Sequence, residues 1–221
     1  MNTIFREVNI REHAVANDNE LDRPGQMLRF QRRQALYHDG DPAKSVFRVR
    51  DGLVRITRMT PEGRVITVRH VEPGDYFGEE AFNGDESRRD EMAEALTSTD
   101  IEAIDPAHIN HADLFAITQS LSQQMQRLMD YEYHLQTGDL RQRVARYLLH
   151  LSYTPLGSKD EQGRVAVAAT HELIAEGTAS TRESVSKIVT ELRAAGLIES
   201  GYRSIAIIDG EGLDEVAQGL A

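Results

Sequence analysis

The stretch from Thr170 to Ile198, THELIAEGTASTRESVSKIVTELRAAGLI, decides how this chain is read. It predicts two short helices joined by a tight turn. Thr170 is the expected cap of the first helix, and Glu172 in its first turn complements the helix dipole. Leu173 and Ile174 supply its apolar contacts. Gly177 is expected to let the backbone turn sharply at the helix end, with Thr178 and Ala179 filling the turn. Ser180 is preferred over Thr181 as the second cap, because Glu183 follows it at capping-box distance. On the second helix Val185, Ile188, Val189 and Leu192 form an apolar stripe at helical spacing. Arg182, Glu183, Ser186 and Lys187 fall off that stripe and are free to face a partner. This is the layout of a helix-turn-helix, whose second helix enters the DNA major groove. An arginine there can hold guanine O6 and N7, and a glutamate can accept from a cytosine amino group. An amphipathic helical hairpin with a solvated charged face is the plainer alternative for the same residues.

The flanks extend the pattern. Leu197 to Glu199, a turn at Ser200-Gly201, and Ser204 to Ile208 predict a hairpin wing, with Arg203 near its tip for a phosphate contact. Val165 to Ala168 predicts a strand, preceded by a polar loop from Gly157 to Gly163. Leu140 to Ser152 predicts a helix capped by Asp139, with Leu140, Val144, Tyr147, Leu148 and Leu151 on its inner face. Gly138 and Asp139 read as a hinge. Before them, His111 to Thr137 predicts one long helix in which Leu114, Leu121, Leu128 and Leu135 recur every seven residues. Such a repeat favours a self-pairing helix roughly 35–40 Å long. The expected homodimer seam is Leu114, Ile117, Leu121, Met125, Leu128 and Leu135. A single helix lying on its own domain is the alternative.

From Leu28 to about Ile104 short strand-like runs alternate with turn signals such as Thr60 to Gly63, TPEG, and Pro73-Gly74-Asp75. Closely spaced short strands suggest an antiparallel barrel or roll. The fold class is therefore α+β: an N-terminal antiparallel β-roll, a long dimerisation helix and a C-terminal winged helix-turn-helix. The expected division is an arm over 1–25, the roll over 26–110, the long helix over 111–137 and the winged helix over 138–221. Gly210 to Ala221 reads as a short polar tail with some helical character.

Composition narrows function further. The 221 residues carry a net charge of −11 and are 40% hydrophobic. That charge argues against nonspecific coating of DNA but not against a locally suited face. There are no cysteines, which excludes disulfides and thiolate-ligated zinc or iron–sulfur clusters. His38, His70, His108 and His111 read as surface or loop residues, so no metal and no cofactor is expected. No His-x-His pair exists, which counts against a cupin-like metal enzyme, and the chain is not expected to be an enzyme. No apolar run is long enough to cross a bilayer and the N-terminus does not read as a signal peptide; no membrane and a cytoplasmic location are expected.

Three stretches carry a resemblance: YHDGDPAKSVFRVRDGLVRI at Tyr37 to Ile56, PGDYFGEEAF at Pro73 to Phe82, and STRESVSKIVTELRAAGLI at Ser180 to Ile198. Together they resemble the cyclic-AMP receptor protein/FNR family of bacterial transcription regulators, over nearly the whole chain after Gln26. The resemblance implies base contacts from Arg182, Glu183, Ser186 and Lys187, and phosphate contacts from His171, Ser180, Thr181 and Arg203. Lys187 stands where arginine is more frequent; lacking the rigid fork, it discriminates bases less well. It also implies double-stranded promoter DNA and RNA polymerase as partners. The effector cradle of the family survives as Gly78, Glu79 and Arg89, but Asp90 replaces a hydroxyl residue and its carboxylate would repel a cyclic phosphate. The site therefore reads as vestigial, with Glu79 and Arg89 expected to pair with each other. The stretches PGDYFGEEA, YEYHLQTGDLRQRVARYLL and RESVSKIVTELR resemble the cyclic-AMP-independent branch, which activates stress and stationary-phase genes. A cyclic-nucleotide-dependent regulator of the same fold is the alternative.

Overall fold

The computed structural model describes residues 25–220. The expected N-terminal arm, apart from Gly25, lies outside the described residues. Eight strands build the roll: β1 (Gln26–Phe30), β2 (Ala35–Tyr37), β3 (Val46–Asp51), β4 (Val54–Met59), β5 (Val65–Val71), β6 (Tyr76–Phe77), β7 (Met92–Ala95) and β8 (Thr99–Ile104). They form two antiparallel sheets in the orders β1-β8-β3-β6 and β2-β7-β4-β5. The β4–β5 hairpin forms where TPEG stands, with Gly63 at φ 80° donating its N–H to the Thr60 carbonyl at 2.8 Å. Alternate strand positions turn inward to a core of Phe30, Leu36, Val49, Ile56 and Ile101 around an aromatic cluster. Tyr37, Phe47 and Phe77 hold ring centroids 5.2–6.2 Å apart in that cluster.

The long helix α1 (His111–Gln136) opens on a capping box between Asn110 and Asp113. Its roll-facing side is docked by polar contacts as well as apolar ones. Ser120 Oγ accepts from the Tyr76 N–H at 3.0 Å, and Gln124 donates to the Tyr76 carbonyl at 2.7 Å. Arg127 pairs with Asp75. Ile117, expected on the dimer seam, is instead 2% exposed and packs with Val46, Tyr76 and Ala81 of the chain's own roll. A seven-residue repeat places it near the leucines, but a helical turn of that width also reaches the docked side. On the opposite side Leu114, Phe115, Met125, Met129 and Tyr133 stay exposed.

Gly138, at φ 116°, breaks the helix, and Asp139 caps α2 (Leu140–Ser152) in a second capping box with Gln142. The C-terminal part then adds β9 (Gly157–Lys159), β10 (Val165–Val167), α3 (His171–Gly177), α4 (Arg182–Ala194), β11 (Ile198–Gly201), β12 (Ser204–Ile207) and α5 (Gly210–Gln218). Its sheet runs β11-β12-β10-β9. One expectation fails here and another holds only in its helical part. The start of the expected polar loop is the edge strand β9, held by backbone pairing with β10 that leaves no apolar signature. The expected polar tail is a helix whose Leu213, Val216 and Ala217 are buried in the same core as Val144, Leu148 and Leu192. Those three positions share one face, so docking onto α2 decides what local composition does not.

Candidate nucleic-acid interface

The helix-turn-helix forms at the expected place with different local chemistry. Thr170 caps α3, its Oγ1 accepting from the Leu173 N–H at 3.2 Å. Gly177 is not the turning residue. It lies within α3, buried, and a Cβ there would stand 2.0 Å from Cζ of Tyr147. Glycine is required by close packing of α2 on α3, and the left-handed residue of the turn is Ala179, at φ 49°. The Ser180 N–H bonds the Ala175 carbonyl at 2.9 Å, which keeps Ser180 inside the turn. Thr181 is therefore the cap, not Ser180, and its Oγ1 accepts from the Ser184 N–H at 3.2 Å.

Val185, Val189 and Leu192 bury the inner stripe of α4, with Ile188 packed beside them. The outer face carries Arg182, Glu183 and Lys187 exposed and Ser186 half-buried. With His171 from α3 they line one open concavity. Thr190 and Glu191 line it too; both continue the outer face of the same helix, a spacing signal that sequence reading overlooked. Arg182 and Lys187 make no ion pair among the described residues, so both charges are available to an anion. The Ser180 carbonyl accepts from Arg64 of the β4–β5 hairpin at 3.3 Å. In the wing, Ser200 and Gly201 belong to β11, and the two-residue loop is Tyr202-Arg203. Arg203 sits at that tip at φ 54°, with its guanidinium 5.4 Å over the centre of the Tyr202 ring.

In the roll, Arg89 and Glu79 of the cradle bond to other groups of the chain. Gly78, at φ 78°, starts a short 3-10 helix over Glu79–Asn83. Arg89 is 2% exposed and donates to the Ser45 carbonyl at 2.6 Å, the Gly78 carbonyl at 3.0 Å and the Glu80 carboxylate at 3.1 Å. Its guanidinium also lies 4.5 Å over the Tyr37 ring. Glu79 does not pair with Arg89 as expected; it accepts from Arg69 on β5 at 2.7 Å. The tight turn after Gly78 aims successive carboxylates apart, Glu80 to Arg89 and Glu79 to β5. Asp90 is exposed beside them.

A Crp-like helix-turn-helix domain matches residues 142–216, and a cyclic nucleotide-binding domain matches residues 27–112. The chain is 47% identical to the transcriptional regulator LdrP of Thermus thermophilus, over 86% of this chain and 96% of that protein. It is 40% identical to the transcriptional regulator SdrP of the same species, over 80% of this chain and 86% of that one. A crystal structure of a CRP-family transcriptional regulator from Thermus thermophilus superposes with a TM-score of 0.82 at 46% identity, covering 86% of this chain and 96% of its own. The chain belongs to the CRP/FNR family of transcription regulators.

As in that family, an antiparallel roll, a long helix and a helix-turn-helix follow one another. A family of transcription regulators is not one of enzymes, and no helix among the described residues is long and apolar enough to cross a membrane. In this regulator the roll and the reading head are tied together. Arg55, 8% exposed, pairs with Glu94 of the roll at 2.8 Å and with Glu176 of α3. The Tyr131 hydroxyl donates to the Gly177 carbonyl at 2.8 Å, and Arg143 donates to the Thr178 carbonyl at 3.2 Å. His70, expected at the surface, is buried between the two parts, its ring 5.8 Å from Tyr147 and 5.5 Å from His150. β5 carries it under α2, a neighbour 77 residues away that no local pattern announces. Burial, then His150 and Arg55, lower its pKa from 6.5 to about 3.

Proposed function

We propose that this regulator binds a palindromic promoter site in double-stranded DNA as a homodimer and needs no cyclic AMP to do so. The observation that carries this is the exposed concavity on which His171, Arg182, Glu183, Ser186 and Lys187 meet at the reading helix. In this reading Arg182 holds guanine and Glu183 accepts from cytosine, while Ser186 and Lys187 complete the base contacts. His171, Ser180, Thr181 and Arg203 meet phosphates, which fix register without reading sequence. Ser180 and Thr181 stand at the N-terminus of α4, where the helix dipole favours a phosphate.

A second copy pairs along the exposed side of α1. Support comes from its apolar row of Leu114, Phe115, Met125, Met129 and Tyr133, facing away from the roll. Leu121, Leu128 and Leu135, half-buried, border that row, and Ile117 leaves the seam. Pairing there sets two reading helices about one turn of DNA apart, roughly 34 Å. Independence from cyclic AMP is supported by Arg89, whose two terminal nitrogens donate to Ser45, Gly78 and Glu80, and by the carboxylate of Asp90 next to it. Functionally the chain divides into a roll over 26–110, a dimer helix over 111–137 and a reading head over 138–221. The branch it resembles implies activation of stress or stationary-phase promoters in the cytoplasm, with RNA polymerase as the second protein partner.

A gel-shift titration with promoter DNA, run with and without cyclic AMP, tests this reading. Equal, tight binding in both arms is expected. Binding that requires the nucleotide, or a monomer by light scattering, overturns it.

A further inference from the structure

We infer that the hinge between roll and reading head is a binding site for a compact organic anion with an apolar or aromatic body and one carboxylate or phosphate head. A cavity of about 280 Å³ lies there, bounded by β5, α1, α2 and the end of α3. None of Gly78, Glu79, Arg89 or Asp90 lines it, although Arg69 on its wall bonds Glu79 of the cradle. Val68, Leu128, Tyr131, Leu135 and Tyr147 give it an apolar body. Concave, mostly apolar walls with a few convergent polar groups are the common form of a small-molecule site.

The polar groups favour negative charge. Arg69 and Arg127 already have carboxylate partners in Glu79 and Asp75. Arg143 and Arg146 have none among the described residues. Arg143 bonds the Thr178 carbonyl at 3.2 Å, and Arg146 bonds the carbonyls of Ala217 at 2.6 Å and Thr137 at 2.9 Å. Two acids share the wall: Asp130, which accepts from Gln126 at 3.1 Å, and Glu72 beside His150. Arg143 Nε and Gln124 Oε1 are buried without a hydrogen-bond partner, unused capacity that a ligand can satisfy. The three wall histidines point the same way. Burial first, and then a nearby arginine among the other charges, hold His70, His134 and His150 below the ordinary imidazole value. Neutral imidazoles leave the guanidiniums as the positive charge facing the cavity.

A ligand here touches the roll through Val68, the long helix through Tyr131, and the turn before the reading helix through Thr178. It therefore biases how the head is held, an effect that rests on the DNA-binding reading above, whereas the binding itself does not. Calorimetric titration of the full chain with 2-naphthoate, 2-naphthyl phosphate and neutral 2-naphthamide tests the site. At least one anion is expected to bind once per chain with Kd below about 1 mM. Val68→Phe, which fills the cavity, abolishes that binding. Arg143→Gln weakens the anions about tenfold and leaves the amide unchanged. Comparison of the two anions identifies the head group. The site is overturned if neither anion binds below about 1 mM, or if both variants bind as the natural chain does. If Val68→Phe does not fold by circular dichroism, Arg143→Gln alone decides. Gel shifts with the bound anion test the coupling: a changed DNA affinity is expected, and an unchanged one overturns the coupling. A chain that binds the anion but never DNA overturns the regulatory reading and not the site.

Discussion

Arg89 in the roll and Arg182 on the reading helix are the same side chain in opposite circumstances. Arg89 is 2% exposed and surrounded by two carbonyls, a carboxylate and an aromatic face. Arg182 is exposed, on a face shared with Lys187 and His171. A guanidinium whose terminal nitrogens are held by buried protein acceptors is a structural part. One whose donors face solvent keeps them for a partner. The family motif is thus present in both regions, but only on the reading helix does the guanidinium face solvent with its terminal nitrogens open to a partner.

Removing each arginine breaks that contrast most directly. Arg89→Ala leaves the Glu80 carboxylate and two carbonyls without their donor. It is expected to cost about 3–5 kcal/mol of folding stability, read as a shift in the urea midpoint. A loss comparable to an ordinary surface substitution would show that the cradle is not a structural unit. Arg182→Ala is expected to weaken operator binding by about 1–3 kcal/mol and to relax selectivity at one base pair. Its urea midpoint should stay within about 0.5 kcal/mol of the natural chain. Unchanged operator preference would remove the case for direct readout.

A third effect, spread over several pH units, concerns the joint between the two regions. His70 has its folded pKa lowered from 6.5 to about 3, so its neutral form is favoured in the fold. That stabilisation is complete above pH 6.5 and is lost as pH falls toward about 3. Over this window it contributes at most about 1.4 kcal/mol per pH unit to the loss of stability. His70→Phe keeps a ring in the stack and is expected to flatten the slope of stability against pH. An identical slope would mean that another group governs acid unfolding.

Local signals carried much of the fold. The boundaries of α2 match its sequence reading, because Asp139 and the apolar spacing from Leu140 to Leu151 are complete within thirteen residues. The outer face of α4 was legible for the same reason: a stripe at Val185, Val189 and Leu192 fixes which residues look outward. Contacts between distant segments were not legible. Glu79 chose Arg69 over Arg89, Gly177 answered to a ring on α2, and His70 was covered by a helix far along the chain. The C-terminal helix looked polar until α2 gave Leu213 and Val216 something to pack against.

By itself the sequence determined the order of elements, the family and the outward residues of the reading helix. These follow from spacing and caps acting within a few turns of backbone. Only the tertiary structure decided which carboxylate holds which arginine, which side of α1 is left apolar and open, and that a cavity opens at the hinge. Those outcomes depend on which distant surfaces meet, and hydrogen bonds and burial act only once they have met.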